Sequence, residues 1–178
     1  MRGITRRRLL TTGAAIVMAK ALQPITAAHA EGLELGPPEA FDFQQLKSLA
    51  RSLAALPHVE PPLTHEEFVR EIGVHRHNSI RFKPEYALWQ DSLFPMRLHH
   101  RGRWFLYPVE IHLVEEGEAR RLIFNPEAFD YSELGLEGPV PHDLGFAGFR
   151  LMNSPESNAD WLSFLGAALV YGERGHMA

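Results

Sequence analysis

The sequence predicts a mainly β protein, an antiparallel β-sandwich preceded by two short helices. From residue 79 onwards, short segments alternate apolar and polar residues, which is the period of a half-buried strand. Turn residues separate these segments at intervals of about 8–12 residues, as in sandwich proteins. The sequence shows neither the strand–helix alternation of a Rossmann fold nor an internal repeat. Together these observations favour two packed antiparallel sheets.

The two helices are expected before the strands. The first is bounded by Asp42, a suitable N-cap, and by Pro57, which cannot continue a helix. Its apolar residues follow helical spacing: Phe43, Leu46, Leu49, Leu53 and Leu56. The second, shorter helix is expected to begin at Thr64 and to turn Phe68 and Ile72 inward.

Six segments are predicted as strands, namely 79–82, 96–99, 106–114, 120–124, 145–152 and 161–165. The segments 106–114 and 120–124 are separated by Glu-Glu-Gly-Glu, so they are expected to pair as a hairpin. Gly145 and Gly148 are expected to permit a bulge or a close approach of two sheets, because glycine lacks a side chain.

Residues 1–30 have the features of a twin-arginine signal peptide. Arg6 and Arg7 form the arginine pair, and a mildly apolar stretch follows that is too short to span a membrane. Small residues at 28 and 30 predict cleavage after Ala30, and an ordinary Sec signal is the alternative. Residues 31–40, which contain Gly and Pro, are expected to form a linker. The partner implied is the twin-arginine translocase, and the destination is the periplasm.

Charge and cysteine content exclude several classes of function. The first 30 residues hold five bases and no acid, which leaves 13 bases against 22 acids and a net charge of −9 for the remainder. Such an acidic body repels phosphate, so nucleic acid is not an expected partner. The chain contains no cysteine, which excludes a thiol nucleophile, an iron–sulfur cluster and a cysteine zinc site.

No metal or other cofactor is predicted. His75 and His77 would share one face of a strand and could bind a metal with His112 or His99. The sequence contains no H-E-x-x-H pair, and surface or loop histidines explain these positions more simply. It also lacks a G-x-S-x-G motif, a G-x-G-x-x-G motif and a Walker loop.

Carboxylates matter if the ligand is a sugar polymer, because glycoside hydrolysis uses two of them across the scissile bond. The available residues are Glu110, Glu127, Asp130, Asp143 and Asp160. Asp130 and Asp143 could be such a pair, but spacing selects no pair and most of these residues suit turns or solvated strand positions. No catalytic residue is therefore assigned.

Aromatic side chains can stack on sugar rings, although most large rings in a sandwich belong to the core. The candidates are Trp89, Trp104, Tyr107, Tyr131 and Trp161. Trp89 and Trp104 lie near polar residues and are the predicted carbohydrate-binding residues.

Five segments carry a resemblance to a known family. In chain order they are FDF (41–43), NSIRFKP with ALW (78–84 and 87–89), RLIFNPEAFDY (121–131), DLGFAGFR (143–150) and SFLGA (163–167). These segments resemble the periplasmic glucans biosynthesis protein D/G family, and the twin-arginine leader favours the D type. The resemblance covers nearly all of residues 41–167.

The resemblance implies a role in making osmoregulated periplasmic glucans, with a β-glucan of β-1,2-linked backbone as the partner. It also implies a galactose-mutarotase-like sandwich, followed in the family by an immunoglobulin-like domain. D-type members resemble inverting endo-β-1,2-glucanases whose two catalytic aspartates have no counterpart in this sequence. Residues 41–178 are therefore expected to be a partial, truncated N-terminal sandwich in which Phe146, Phe149, Trp161 and Phe164 lose packing partners.

Two alternatives to this role remain open from the sequence. One is a stand-alone carbohydrate-binding module that retains one wall of a sugar groove. The other is an active endo-β-1,2-glucanase that uses local carboxylates such as Asp130 and Asp143.

Overall fold

A computed structural model of the protein describes residues 32–102, 104–136, 138–166 and 169–172. The predicted signal peptide, with Arg6, Arg7 and the cleavage position after Ala30, lies outside the described residues. The helices are α1 (Phe43–Ala54), α2 (Glu66–Glu71) and α3 (Val74–Ser79). The strands are β1 (Leu35–Ala40), β2 (Arg81–Phe82), β3 (Met96–His100), β4 (His112–Glu115), β5 (Glu118–Leu122), β6 (Phe129–Asp130), β7 (Phe146–Met152), β8 (Asp160–Leu165) and β9 (Leu169–Gly172).

The strands form three antiparallel sheets, in the orders β1-β5-β4, β2-β6 and β3-β7-β8-β9. An isolated bridge between Val109 and Phe146 connects the segment before β4 to the largest sheet. This architecture confirms the mainly β, sandwich-like fold class that the sequence predicts.

The β4–β5 hairpin is confirmed. Its two loop residues, Glu116 and Gly117, both have positive φ angles, 51° and 83°, as a type I′ turn requires. The first strand is shorter than expected and begins at His112 rather than at residue 106. Pro108 accounts for part of the difference, because proline has no N–H to donate to a ladder.

The N-terminal segment differs from the expected linker. Within residues 31–40, Leu35–Ala40 form β1, which pairs with β5 and brings Pro38 opposite Arg120. The two prolines fit there because β1 is an edge strand, and because the register shifts between Leu35 and Pro38. Gly and Pro in this segment therefore mark an edge strand with an irregularity, and not a free connection.

The helix α1 forms as expected, and Asp42 caps it by accepting a hydrogen bond from the Gln44 N–H at 2.8 Å. The helix α2 buries Val69 and leaves Phe68 partly buried, and Ile72, directly after the helix, is also buried. It begins at Glu66, later than Thr64, because the residue before it, His65, has a left-handed backbone conformation.

The helix α3 was not expected. It occupies residues that include part of the strand predicted at 79–82, so β2 begins only at Arg81. The N-terminus of α3 has no side-chain cap, so no capping residue signals this helix in the sequence.

The core is centred on aromatic rings where β2, β6 and β7 meet. His100 makes edge contacts with Phe124, Phe129 and Tyr131, with ring centroids 5.1–5.9 Å apart. Phe146 packs 5.2 Å from Phe124 and is almost fully buried. The expectation that Phe146 loses its partners is therefore wrong.

Two of the other aromatic residues expected to lose partners form a pair of their own. Phe149 and Phe164 stack across β7 and β8 with their centroids 5.6 Å apart, and both are partly buried. Trp161, on the same strand as Phe164, is exposed.

Arg101, directly after β3, joins three distant segments of the chain. Its side chain is fully buried, and all of its nitrogens donate hydrogen bonds. The acceptors are Oγ1 and the carbonyl oxygen of Thr64, the Leu106 carbonyl and the Leu144 carbonyl, the last at 2.6 Å. Burial lowers the Arg101 pKa, but a guanidinium stays charged because its ordinary pKa is so high.

Gly148 permits a close approach of two strands in one sheet rather than of two sheets, and the register of the β3–β7 pair shifts beside it, between His99 and His100, as the expected bulge requires. Gly148 has φ 154°, and a Cβ placed on it would lie 2.0 Å from the carbonyl oxygen of Phe164 on β8. The backbone atoms of β8 cannot move away without breaking their pairing with β7.

We predict that Gly148→Ala destabilises the protein by about 3 kcal/mol, because the added methyl group overlaps backbone atoms. Urea unfolding followed by circular dichroism measures the change. Gly73→Ala is the matched control, since a Cβ at Gly73 meets no atom within 4 Å. Equal stability of the two variants would contradict the prediction.

Candidate functional site

The two predicted carbohydrate-binding residues lie at opposite ends of β3. Trp89 follows Leu88, which pairs with Met96 at the start of the strand. Trp104 lies beyond the end of the strand, in a turn closed by hydrogen bonds between Gly102 and Phe105. A strand of this length spans about 16 Å. The structure therefore does not place these two side chains in one small pocket.

The two tryptophans also differ in exposure. Trp104 has 68% of its surface exposed, so its ring is accessible to a ligand. Trp89 is partly buried and packs against the core. Its φ angle is 55°, which is uncommon for a bulky residue and is often associated with functional sites.

A cavity of about 280 Å³ lies at the Trp89 end of β3. It is lined by Pro84, Glu85, Ala87, Gln90, Asp91, Pro95, Arg97 and Pro155, and we refer to it as the Arg97 pocket. Its polar groups include both donors and acceptors of hydrogen bonds. Carboxylates accept hydrogen bonds, a guanidinium donates them and an amide does both. This combination suits a neutral ligand with several hydroxyl groups.

The loop that forms one wall of the Arg97 pocket is closed at its base. Leu88 and Met96 exchange two backbone hydrogen bonds of 2.9 Å. The loop formed by residues 89–95 therefore begins and ends at this one pair of residues. Inside the loop, the Ser92 N–H donates to the Trp89 carbonyl at 2.9 Å. The Gln90 Nε2 donates to the Glu85 carbonyl at 2.6 Å and fixes the loop against the preceding turn.

Arg97 reaches the pocket from β3 and has capacity for another acceptor. Only 6% of the residue is exposed, and its Nη2 donates to the Pro155 carbonyl at 3.4 Å. Its Nε is buried and has no hydrogen-bond partner among the residues that the structure describes. Desolvation by burial, together with the charge of Arg150, lowers the Arg97 pKa, and Asp160 acts in the opposite direction.

Polar side chains continue from Arg97 across the same sheet. The His99 Nε2 lies 2.9 Å from the Ser163 Oγ, and Arg150 pairs with Asp160 at 3.5 Å. Burial is the largest cause that lowers the His99 pKa, to about 3, so this histidine is neutral near pH 7. Ser163 is fully buried, which leaves its hydroxyl no access to a substrate.

The histidines considered as metal ligands do not converge. The His77 Nε2 lies 2.9 Å from the His100 carbonyl, whereas His75 and His112 are exposed. Within residues 32–172, apart from the undescribed positions, no group of three His, Cys, Asp or Glu side chains is placed to hold a metal ion.

Two exposed aromatic rings pack together at the loop that forms one wall of the Arg97 pocket, although neither ring lines the pocket. Phe94 directly precedes Pro95 of the pocket wall, and its ring centroid lies 4.7 Å from that of Trp161 on β8. Both rings are about 40% exposed. Trp161 was among the aromatic residues that the sequence singled out, but Phe94 was missed. The only signal for Phe94 was its position in a loop rich in polar and turn residues.

The carboxylates considered for catalysis are engaged separately. Asp143 is largely exposed and lies 2.8 Å from His65, and Asp130 accepts a hydrogen bond from the Ser132 N–H. That bond is the main cause that lowers the Asp130 pKa. A general acid in glycoside hydrolysis needs a raised pKa, which is the opposite of the direction at Asp130.

The fold and this site together define a mainly β protein with a small polar pocket bordered by exposed aromatic rings. The model of the family "Periplasmic glucan biosynthesis protein, MdoG" matches residues 41–171. The chain therefore belongs to the periplasmic glucan biosynthesis protein family.

The similar proteins share one description, glucans biosynthesis protein D. The chain is 38% identical to "Glucans biosynthesis protein D" of Xanthomonas oryzae pv. oryzae (strain PXO99A) over 171 residues, which cover 92% of the chain and 32% of the relative. The protein of the same name from Xylella fastidiosa (strain M12) is 39% identical over 137 residues, 75% of the chain and 26% of the relative. The chain thus spans about a third of the length of the relatives it matches.

Across the described residues, no helix is long and apolar enough to cross a membrane.

We predict that the protein loses stability as the pH falls below about 6.5. Burial lowers the pKa of His99 to about 3 and that of His100 to about 4, so the unfolded state binds more protons than the folded state between pH 6.5 and 4. The free energy of unfolding should then fall by up to about 1.4 kcal/mol per pH unit for each histidine.

Urea unfolding at pH 7, 6 and 5 measures this slope. His99→Gln keeps a hydrogen-bonding group beside Ser163 but cannot be protonated, so it should remove about half of the slope. His75→Gln makes the same substitution at an exposed position and is the matched control. A stability that does not change over this range would contradict the prediction.

Proposed function

We propose that the chain serves in periplasmic glucan biosynthesis. The observation that carries this proposal is the family match over residues 41–171, which includes every residue that lines the Arg97 pocket and both bordering rings. The site thus lies within the unit shared with proteins described as taking part in glucan biosynthesis.

Within that role we propose that the chain binds a β-glucan with a β-1,2-linked backbone. Phe94 and Trp161 present aromatic faces of the kind that stack on the C–H faces of sugar rings. The Arg97 pocket beside them supplies donors and acceptors for the hydroxyl groups. Trp89 forms part of the loop at the same end of β3, and Trp104 would be reached only by a glucan of several sugar units.

The proposed location is the periplasm, with export by the twin-arginine translocase. Arg6 and Arg7 are the residues that the translocase would recognise, and cleavage after Ala30 would release a chain that begins at Glu31. Export in the folded state would suit a chain without cysteine, since its folding needs no disulfide formation.

We predict that Trp161→Ala weakens binding of a linear β-1,2-glucan by about tenfold, the expected effect of losing one stacking ring. Isothermal titration calorimetry on the purified protein measures the affinity. Trp104→Ala tests the far end of β3 and should weaken long glucans while leaving short ones unaffected.

Val59→Ala serves as the control, because Val59 is also an exposed apolar residue but lies outside the pocket and its bordering rings. Absence of measurable glucan binding by the unaltered protein would contradict the proposed ligand. Unchanged binding by the Trp161 variant would instead contradict the proposed position of the site.

We predict that replacing Arg6 and Arg7 together by lysine blocks export, because the translocase requires the arginine pair and lysine keeps only the charge. Cell fractionation and immunoblotting would then find the precursor in the cytoplasm. Arg2→Lys is the control, and N-terminal sequencing of the exported protein should begin at Glu31. Continued export of the double variant would indicate a Sec signal.

A further inference from the structure

Two arginines lie directly opposite each other on the largest sheet. Arg97 of β3 pairs with Arg150 of β7 in the register of the two strands, so both side chains leave the same face of the sheet. The neighbouring pair, Leu98 and Phe149, points to the opposite face and packs in the core. Like charges placed opposite each other on a sheet are destabilising, so this pair needs a group that offsets it.

The nearby acid offsets only one of the two charges. Asp160 lies 3.5 Å from the Nη1 of Arg150, and it is also the acid whose charge acts on Arg97. His99 shares this face, but it is hydrogen bonded to Ser163 and neutral near pH 7, so it adds no charge. Two positive charges thus stand against one negative charge, which leaves one positive charge in excess.

Both guanidinium groups also keep a donor that is not used. The Nε atoms of Arg97 and Arg150 are buried and have no hydrogen-bond partner within the parts of the chain that the structure describes. The hydrogen bonds that the two side chains do make are long, 3.4 Å to the Pro155 carbonyl and 3.5 Å to Asp160. A buried donor without an acceptor is unfavourable, and a ligand oxygen beside it would remove this cost.

A single carboxylate matches this combination of charge and donors. The Nε of a guanidinium and one neighbouring Nη donate in parallel, at the spacing of the two carboxylate oxygens. One carboxylate also supplies the one negative charge that balances the group. Glu85 and Asp91, the exposed acids that line the Arg97 pocket, disfavour a ligand with more negative charge and accept hydrogen bonds from hydroxyl groups.

We propose that Arg97 and Arg150 bind the carboxylate of a hydroxylated organic acid, about the size of one sugar acid, that enters through the Arg97 pocket. The cavity of about 280 Å³ is at the lower end of the range for ligand pockets, which suits a ligand of one ring. The site belongs to the pocket of the proposed function. It does not depend on glucan binding, because the two guanidinium groups recognise an acid group that a neutral glucan lacks.

The test compares D-glucuronate with D-glucose, two sugars that differ only in the carboxylate at the sixth carbon. Ligand-observed NMR titrations of the full 178-residue chain, at pH 7 and constant ionic strength, measure both affinities. Glucuronate should bind at least about tenfold more tightly, because its contact with the guanidinium groups is charge-assisted and bidentate. Equal affinities would overturn the proposal without the use of any variant.

Variants then locate the site. Arg97→Gln and Arg150→Gln each remove one guanidinium and should abolish most of the preference for glucuronate over glucose. Arg97→Lys keeps the charge without the two parallel donors, so it should retain only part of the preference even where the glutamine variant does not fold. Arg81→Gln is the matched control, because it removes the same charge from an exposed position on β2.

Three further results would overturn the proposal. They are an unchanged preference in the Arg97 and Arg150 variants, an equal loss in the Arg81 variant, and tighter binding of inorganic phosphate than of glucuronate. Binding of glucuronate without binding of a linear β-1,2-glucan would support this site and contradict the proposed glucan ligand. Binding of the glucan, with no preference for glucuronate over glucose, would contradict this site alone.

Discussion

The buried guanidinium of Arg101 is the interaction on which the arrangement of the chain most depends. One side chain at the end of β3 binds carbonyl groups before α2, after the 102–105 turn and before β7. These segments are far apart in sequence, and none of the contacts involves a carboxylate. Its charge is therefore balanced by oriented peptide dipoles, which a neutral side chain of similar size could not satisfy. Through this residue the largest sheet is linked to the segment that leads into α2.

The two ends of the strand β3 differ in their surroundings. At its Arg101 end, every side-chain nitrogen of Arg101 donates a hydrogen bond, whereas the buried Nε2 of the adjacent His100 has no partner among the described residues. At its Met96 end, the buried Nε of Arg97 has no hydrogen-bond partner among the described residues, the 89–95 loop forms one wall of a cavity, and two exposed aromatic rings pack together at that loop. Paired polar groups stabilise a fold, whereas unpaired ones beside a cavity indicate a place for a ligand. The cavity and the exposed pair of aromatic rings are the physical reason to place the candidate site at the Met96 end.

Local signals predicted much of the fold. Gly117 marked the hairpin turn, Asp42 marked the start of α1, and alternation located β3, β7 and β8. The sequence did not predict β1, because prolines argue against a strand unless the strand lies at the edge of a sheet. Whether a strand lies at an edge depends on the tertiary structure. The site was predicted less well. The Arg97 pocket combines residues near position 90 with Pro155. Sequence spacing does not predict that two segments so far apart in the chain lie close together in the fold.

The prolines of β1 also affect how the first sheet meets other molecules. Pro37 and Pro38 have no N–H groups, so part of this outer strand cannot donate to an approaching extended chain. The shift of register beside them interrupts the regular pairing that a template for fibril growth needs. The β1 edge of the first sheet is thereby protected against the successive addition of strands from other molecules. This protection does not depend on a bound ligand.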